Sequence, residues 1–224
     1  MTEAAGWRAI DDALHRLYGD VEPVHLATLH KWHLGGPDPL DGISAYPRAE
    51  PVPHWHLVSY GMSELYEKNS KVPEASGWGF EFTIRVAAPV DANADNGQRP
   101  PNWALDLMQN LARYVFNSGN WFEPGHYVDA GGPLALERDD SALRAIVFAL
   151  DPELGTIETP HGRVDFLQII GVTPDEYETV RHSDTFALLN ALTPYLPLWV
   201  TDLDRASLLA VPAVAAAVRR AAAG

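Results

Sequence analysis

His54-Trp55-His56-Leu57-Val58-Ser59-Tyr60-Gly61 and, beyond a polar loop, Gly77-Trp78-Gly79-Phe80-Glu81-Phe82-Thr83-Ile84-Arg85 are the two stretches that decide the fold. Aromatic and β-branched residues crowd both stretches, as is typical of β-strands. In the second stretch, Phe80, Phe82 and Ile84 alternate with Glu81, Thr83 and Arg85, which predicts one buried and one polar face. We expect the two strands to pair across the intervening loop.

The segments on the amino-terminal side predict a helix, a strand and a turn. From Trp7 to Tyr18 the apolar residues lie three or four apart, which predicts an amphipathic helix that ends at Gly19. The mostly apolar segment from Val24 to Trp32 predicts a strand. The segment Gly35 to Pro39 predicts a rigid turn, because its glycines permit positive φ and its prolines fix φ.

The carboxyl-terminal side begins with a surface loop from Pro89 to Pro101, which is rich in Asp, Asn, Gly and Pro. An amphipathic helix follows, with Asn102 as its predicted cap and Gly119 as its stop. The later predicted elements are strands at Gly125–Val128 and Leu143–Leu150, a hairpin of Gly155–Thr159 with Arg163–Val172, helices at Pro174–Arg181 and Asp184–Leu192, a last strand at Leu198–Leu203, and an Ala-rich helical tail over Ala206–Ala223 that Pro212 should bend or break.

Composition limits the class of protein. The 224 residues are 46% hydrophobic, which suits one domain with a substantial core. The absence of cysteine excludes disulfides and thiolate metal sites. Apolar runs stay below the roughly 18 residues of a membrane span, and the first residues lack the features of a signal peptide. We therefore expect a cytoplasmic protein with no membrane association.

The formal net charge is −14, from 16 basic and 30 acidic residues. A surface of this sign repels phosphate backbones, so we expect no nucleic-acid partner. The charge favours a basic protein partner, but it is equally typical of proteins that simply stay soluble. Composition leaves both interpretations open.

Motifs that carry chemistry are sparse. His54 and His56 lie two apart on a predicted strand, so both rings project from one face, where Asp38, Asp41 or His126 could complete a metal site. A metal-assisted hydrolase is therefore one hypothesis, but the histidines match no recognised ligand spacing. The sequence also lacks a nucleophile elbow, a phosphate-binding loop and a calcium loop. We expect no metal, no cofactor and no catalytic residue.

Six stretches in order carry a resemblance to a known family. They are Gly35–Asp41 (GGPDPLD), His54–Glu67 (HWHLVSYGMSELYE), Gly77–Val86 (GWGFEFTIRV), Leu111–Phe116 (LARYVF), Phe166–Val172 (FLQIIGV) and Trp199–Asp202 (WVTD). The chain in these stretches resembles the Suppressor of fused family, which is known from an animal Hedgehog-pathway regulator and from many bacterial proteins. The series spans most of residues 22–203.

The resemblance implies an α+β fold, a twisted mixed and mainly antiparallel sheet with helices packed around it, similar to the N-terminal domain of the animal members. The clustered strands without regular βαβ alternation agree with this class. We expect residues 1–224 to form a single such domain, with a core over about 22–203, an N-terminal helix over 7–18 and a helical tail over 206–223.

The resemblance also implies a binding function. Animal members sequester a transcription factor by clasping a short extended segment as an added strand, in a groove between two domains. Tyr114 matches the tyrosine that lines this groove. Where the animal form has an aspartate in a Gly-Asp-His context, this chain has Gly125-His126-Tyr127, so that carboxylate is missing. We take Tyr114, His126, Tyr60, Asp38 and Asp41 as candidate partner-binding residues.

Bacterial members of the family imply a second kind of partner, since they are associated with immunity to secreted polymorphic toxins. Many such toxins are basic nucleases, and an acidic protein suits a basic partner. Our first hypothesis is therefore a non-catalytic binding module that neutralises a toxin. A regulatory adaptor that binds an endogenous protein by strand addition is the alternative, and the oligomeric state stays open.

Overall fold

The computed structural model of the protein describes residues 4–90 and 98–221. Within these ranges the helices are α1 (Ala5–Tyr18), α2 (Asn102–Ser118), α3 (Pro174–His182), α4 (Thr185–Leu192) and α5 (Pro212–Ala221). The strands are β1 (Val24–Ala27), β2 (Gly42–Arg48), β3 (His54–Tyr60), β4 (Ala75–Ala87), β5 (Tyr127–Asp129), β6 (Ala145–Leu150), β7 (Thr156–Thr159) and β8 (Gly162–Val172).

All of these strands join in one sheet, in the order β1-β2-β3-β4-β8-β6-β5, and β7 pairs with β8 outside this path. The pairing of β4 with β8 is parallel, and the other pairings between the named strands are antiparallel. β3 and β4 pair as the sequence predicts, with His56 opposite Arg85. The predicted α+β class, with a mixed and mainly antiparallel sheet flanked by helices, is confirmed.

Helix α2 covers one face of the sheet. Its buried residues include Trp103, Met108, Leu111 and Val115. Burial of a large apolar side chain contributes about 1.5–3 kcal/mol, so this layer supplies much of the driving force for folding. The facing strand residues in the same cluster are Trp55, Leu57, Phe80, Phe82, Ile84, Ile146, Phe148, Leu167 and Ile169.

The opposite face carries two apolar clusters, one under α1 and the other under α3, α4 and α5. Strand β8 contributes to both of them. Val164 and Phe166 belong to the α1 cluster, and Ile170 and Val172 belong to the other. Gln168 lies between these pairs and is completely buried, so a polar band separates the two clusters.

The polar face of β4 contributes to this band, which differs from the expectation of an ordinary polar surface. Glu81, Thr83 and Arg85 each have 0% of their surface exposed. They are buried because helices cover both faces of the sheet. Buried polar groups are stable only when they are hydrogen-bonded or paired, so their partners decide whether the sheet can form.

Arg85 is the centre of the band. Its guanidinium forms a two-pronged ion pair with Asp151, one prong of which is 3.2 Å from Nη2 to Oδ1. It also donates to Gln168 Oε1 at 2.8 Å and to Glu153 Oε2 at 2.8 Å. Thr83 Oγ1 donates to Asp151 at 3.0 Å. The network therefore joins β4, β8 and the connection from β6 to β7.

His56 extends the network to β3 and α1. The Tyr18 hydroxyl bonds to Nδ1 of His56, and His56 Nε2 lies 3.1 Å from Asp151 Oδ2. Burial, aided by the charge of Arg85, lowers the pKa of His56 to about 4. Burial opposes the charge of Asp151, but His56 and Arg85 outweigh it and hold the pKa of that carboxyl below its usual range.

Glu81 holds the turn that follows β3. Its carboxylate accepts backbone N–H groups of Gly61 at 3.0 Å and Ser63 at 2.9 Å, and the hydroxyls of Ser59 and Ser63 at 2.5 and 2.6 Å. Burial raises the pKa of Glu81, and these hydrogen bonds oppose the shift. The one carboxylate therefore ties the end of β3 to β4.

Two predicted strands differ from the structure. The strand predicted over Val24–Trp32 ends at Ala27. The strand predicted over Leu198–Leu203 is wrong, because Leu198 and Trp199 have φ of 52° and 51° and form a 3₁₀ turn. In that segment Thr201 alone bridges to the sheet, opposite Val86.

Other differences concern helix ends and a missed strand. Strand β2 was not predicted, because its Gly, Ser, Ala and Pro residues have low strand propensity. The residue before α2 is Pro101, so Asn102 is helical rather than the cap. Pro212 begins α5 instead of bending it, since the first turn needs no proline N–H. Residues 91–97 of the predicted surface loop and residues 222–224 of the tail lie outside the described residues.

The first prediction concerns acid sensitivity. In the unfolded chain His56 takes up a proton near its ordinary pKa of about 6.5, whereas in the folded protein it does so only near 4. Stability is therefore lost as the pH falls from about 6.5 towards 4, by about 2–3 kcal/mol. In His56→Gln this part of the loss should disappear. Urea denaturation at pH 7 and pH 4.5 measures it, and His15→Gln, at an exposed position of α1, should keep the wild-type slope.

The second prediction concerns the buried ion pair. Asp151→Asn leaves the Arg85 charge buried without its counter-charge, which should cost about 3–5 kcal/mol of unfolding free energy. Asp140→Asn is the matched control, because Asp140 and its partner Arg138 face solvent, and it should denature close to the wild type. Equal denaturation midpoints for the two variants would contradict a stabilising role for the buried pair.

Candidate functional site

A groove lies between α2 and the short strand β5, on the sheet face that α2 covers. It encloses a cavity of about 480 Å³. Eleven of its lining residues are apolar or aromatic, namely Trp103, Leu107, Leu111, Tyr114, Phe122, Val128, Ala130, Pro133, Leu134, Leu136 and Ile146. Concave apolar surfaces of this size are typical of binding sites.

Tyr114 lies on α2 beside the buried face of the helix, and 48% of its surface is exposed. Helix α2 ends at Gly119, which adopts a left-handed conformation with φ of 74° and turns the chain back. Phe122 then returns against Tyr114, with ring centroids 5.6 Å apart, and stacks on Phe148 of β6 at 4.4 Å. The turn at the end of α2 therefore brings Phe122 back against Tyr114, and these two rings form one wall of the groove.

Strand β5 forms an edge of the sheet. It pairs with β6, and no other described strand pairs with it. Phe148 N donates to His126 O at 2.9 Å, and Ala130 N donates to Arg144 O at 3.0 Å. Alternate residues of an antiparallel strand bond the same neighbour. The backbone groups of Tyr127 and Asp129 therefore point away from β6, towards the open edge.

The charged lining of the groove is acidic. Asp106 of α2, Asp129 of β5 and Glu137 line it, and none of its lining residues is Lys or Arg. Leu136 beside Glu137 is 85% exposed. An apolar surface with carboxylates around it suits a segment that combines an apolar side chain with basic neighbours.

Tyr114 is the one candidate partner-binding residue that lines this groove. His126 does not line the groove but directly precedes β5, and its exposed ring is 4.0 Å from the carboxylate of Glu123. Asp38 accepts from Arg113 of α2 at 3.0 Å and remains partly exposed. The structure therefore brings Tyr114 and His126 to the two elements of the groove, and it places Asp38 on the other side of α2.

The remaining two candidates lie in the interior. Tyr60 is 1% exposed, donates to Asp11 at 2.8 Å and stacks on Trp7. Asp41 is also buried, and it pairs with Lys31 at 2.8 Å and accepts from the Tyr66 hydroxyl. Their side chains are already satisfied within the protein, so neither one is available to a partner in this structure.

The histidines of β3 do not form the arrangement that the hydrolase hypothesis requires. His54 donates Nδ1–H to Val52 O at 2.7 Å, and His56 is enclosed by Tyr18 and Asp151. Over residues 4–90 and 98–221, no three His, Asp or Glu side chains are grouped so that they could hold a metal ion. The described helices also include none that is long and apolar enough to cross a membrane.

Sequence reasoning missed the residues that build most of the groove. Phe122 and Leu136 lie in segments for which the sequence predicted no element, and Val128 lies at the end of a predicted strand. Their common location depends on the packing of α2 against β5 and β6. The available signal was Gly119, which predicted the helix stop that returns the chain to Tyr114.

Comparison with known proteins identifies relatives of this chain. The chain is 37% identical to Suppressor of fused homolog of Homo sapiens and to that of Mus musculus, each over 216 residues and 89% of this chain. It spans 43% of the length of each of these relatives.

Solved structures give the same result for the fold. A chain from a Sufu–Fu complex has 34% identity and a TM-score of 0.87, with 96% of this chain and 97% of that chain covered. Drosophila Suppressor of Fused matches with the same identity and TM-score, over 97% of this chain and 54% of that chain. A Suppressor of fused homolog from Neisseria gonorrhoeae has 16% identity and a TM-score of 0.58, over 90% of this chain and 96% of that chain, and shares the fold.

The family model described as Suppressor of fused protein matches residues 36–206. This range contains the two central strands, helix α2 and the edge strand β5, which together form the sheet and its groove. By its sequence and by its fold, the chain belongs to the Suppressor of fused family.

Proposed function

We propose that this protein is a non-catalytic binding module that takes an extended segment of a partner protein as an added strand at β5. The observation that carries the proposal is the open edge of β5 beside the apolar groove. The outward backbone groups of Tyr127 and Asp129 would bond the added strand, and alternate side chains of that strand would enter the groove. Main-chain bonds supply affinity in this mode, and the groove supplies selectivity.

The partner segment is basic and apolar in this proposal. An apolar side chain fits against Tyr114 and Phe122, and Lys or Arg on either side faces Asp106, Asp129 and Glu137. The formal net charge of −14 attracts such a segment over longer distances and disfavours nucleic acid. Complementary charge accelerates association and fixes the register of the added strand.

The biological role we propose first is that of an immunity protein that neutralises a basic toxin in the cytoplasm. A basic nuclease with a flexible basic segment would meet the chemistry of the groove. Regulatory binding of an endogenous protein is the second role, and the 37% identity to the animal Suppressor of fused homologs supports it. Both roles use the same edge and groove.

We also propose that residues 1–224 act as a single domain. The three apolar clusters all pack on one sheet, and the chain from the Sufu–Fu complex is covered over 97% of its length. In this proposal, the groove belongs to a unit of this size.

The third prediction tests the groove. Peptides selected from a random library on the immobilised protein should combine an apolar residue with Lys or Arg in an extended pattern. Tyr114→Ala should weaken the binding of such a peptide at least tenfold, or by about 1.4 kcal/mol, as measured by calorimetry. Tyr195→Ala is the matched control, because Tyr195 is 44% exposed and does not line the groove. Equal loss in both variants, or acidic selected peptides, would contradict the groove as the binding site.

The fourth prediction separates the two roles. If the protein is an immunity protein, the product of the neighbouring gene should arrest growth when expressed alone, and co-expression with this protein should restore growth. Tyr114→Ala should abolish the rescue, and Tyr195→Ala should retain it. If the product of the neighbouring gene is harmless, the immunity role is contradicted and the adaptor role remains.

A further inference from the structure

The edge strand β5 presents a different surface on each of its two faces. Val128 lines the apolar groove on one face. On the other face, the Tyr127 ring contacts the Tyr177 ring of α3, with centroids 5.6 Å apart. Side chains alternate between the two faces of a strand, so a strand added at this edge places only every second side chain in the groove. The side chains between them lie on the face that carries Tyr127.

A second cavity, of about 610 Å³, lies on this other face, between the turn after β5, the start of β6 and helix α3. Asp129 lines both the groove and the second cavity, so the two meet at the open edge of β5. The carboxylate of Asp129 accepts the backbone N–H of Gly131 at 2.8 Å. The second cavity is therefore continuous with the site proposed above for the partner segment.

The two cavities differ in charge. The groove is lined by carboxylates and by no Lys or Arg, whereas Arg144 and Arg181 line the second cavity. Arg181 is neutralised by Glu178, at 2.9 Å. Arg144 is half-buried and donates from Nη2 to the backbone oxygen of Asp139 at 3.0 Å, but among the described residues no carboxylate forms an ion pair with it. Arg144 is thus the one cation in the lining of the two cavities that lacks a counter-charge.

We propose that Arg144 selects an acidic side chain of the partner segment, on the face of the added strand that points away from the groove. This inference rests on the proposed strand addition at β5 and specifies its partner further. A carboxylate in the second cavity pairs with Arg144 and packs beside the rings of Tyr127 and Tyr177. Hydrogen bonds between a guanidinium and a carboxylate are stronger than those between neutral groups.

The proposal gives the partner segment two unlike faces, one apolar and basic towards the groove, the other acidic towards the second cavity. A slip of one residue in a strand exchanges its two faces. Such a slip would bring acidic side chains to the carboxylates of the groove and basic ones to Arg144. The charges on the two sides of β5 therefore fix the register of the added strand.

The test compares two capped heptapeptides, TKELEKT and TKQLQKT, by NMR titration. In an added strand, Leu and both Lys face the groove, and the Glu or Gln residues face the second cavity. Both sequences read the same in either chain direction, so the orientation of the strand does not affect the comparison. We expect TKELEKT to bind about threefold to fivefold more tightly, as for a half-exposed charged contact. The net charge of −14 by itself favours the more positive TKQLQKT, so the order of affinities separates pairing with Arg144 from general attraction.

The variant Arg144→Gln should bind the two peptides alike, because the affinity for TKELEKT falls to that for TKQLQKT. The unchanged affinity for TKQLQKT then shows that the variant is folded. Arg163→Gln is the matched control, since 58% of the Arg163 side chain is exposed and the residue lines neither cavity. It should keep the wild-type preference for TKELEKT.

A third peptide, TEKLKET, has the composition of TKELEKT with the charges exchanged between the faces, and it should bind more weakly than TKELEKT. Binding of TKELEKT that is weakened by Tyr114→Ala but unchanged by Arg144→Gln would overturn the role of Arg144 and leave the strand addition intact. If none of the three peptides binds, or if binding does not depend on Tyr114, the strand addition itself is contradicted, and the role of Arg144 is contradicted with it.

Discussion

The ion pair between Arg85 and Asp151 is the interaction on which the rest of the structure depends. It permits the sheet to be covered on both faces although strand β4 carries polar residues on one of them. Removal of charges from water is costly, and the cost is offset only when every group has close partners. Gln168, Thr83 and Glu153 supply most of these partners, although Nε of Arg85 is buried without one. The network thus joins strands that are far apart in the chain.

This network also explains how α1 is fixed to the sheet. Tyr18 reaches from the last turn of α1 to His56, and its ring stacks on Tyr46 of β2. Arg48 of β2 pairs with Glu153 at 3.1 Å, and its guanidinium lies over the Tyr18 ring. A helix held by several directional contacts cannot slide as a purely apolar one can. The centre of the sheet is therefore specified by polar contacts on one face and by apolar packing against α2 on the other.

The sequence predicted the parts of the fold that local patterns determine. The alternation in β4, the glycine stops at Gly19 and Gly119 and the hairpin of β7 and β8 all follow from one segment at a time. Burial of Glu81, Thr83 and Arg85 could not be predicted, because it requires partners such as Asp151, 66 residues beyond Arg85. The same reason applies to the groove. Tyr114 came from the family resemblance, whereas Phe122 and Leu136 become neighbours only when α2 packs on the sheet.

The carboxylates around the groove affect which strands can pair with the open edge of β5. Several carboxylates are matched inside the protein, as Asp151 is by Arg85 and Glu176 is by Arg205 at 2.6 Å, and these contribute little to the outer field. Asp106, Asp129 and Glu137 are placed around the groove without a basic residue among its lining. An open strand edge would otherwise pair with any exposed strand, including one from another copy of the chain. Each copy carries a formal charge of −14, so like charges beside the edge oppose the pairing of two copies there. In the proposed binding mode, the same carboxylates would therefore also select for basic segments.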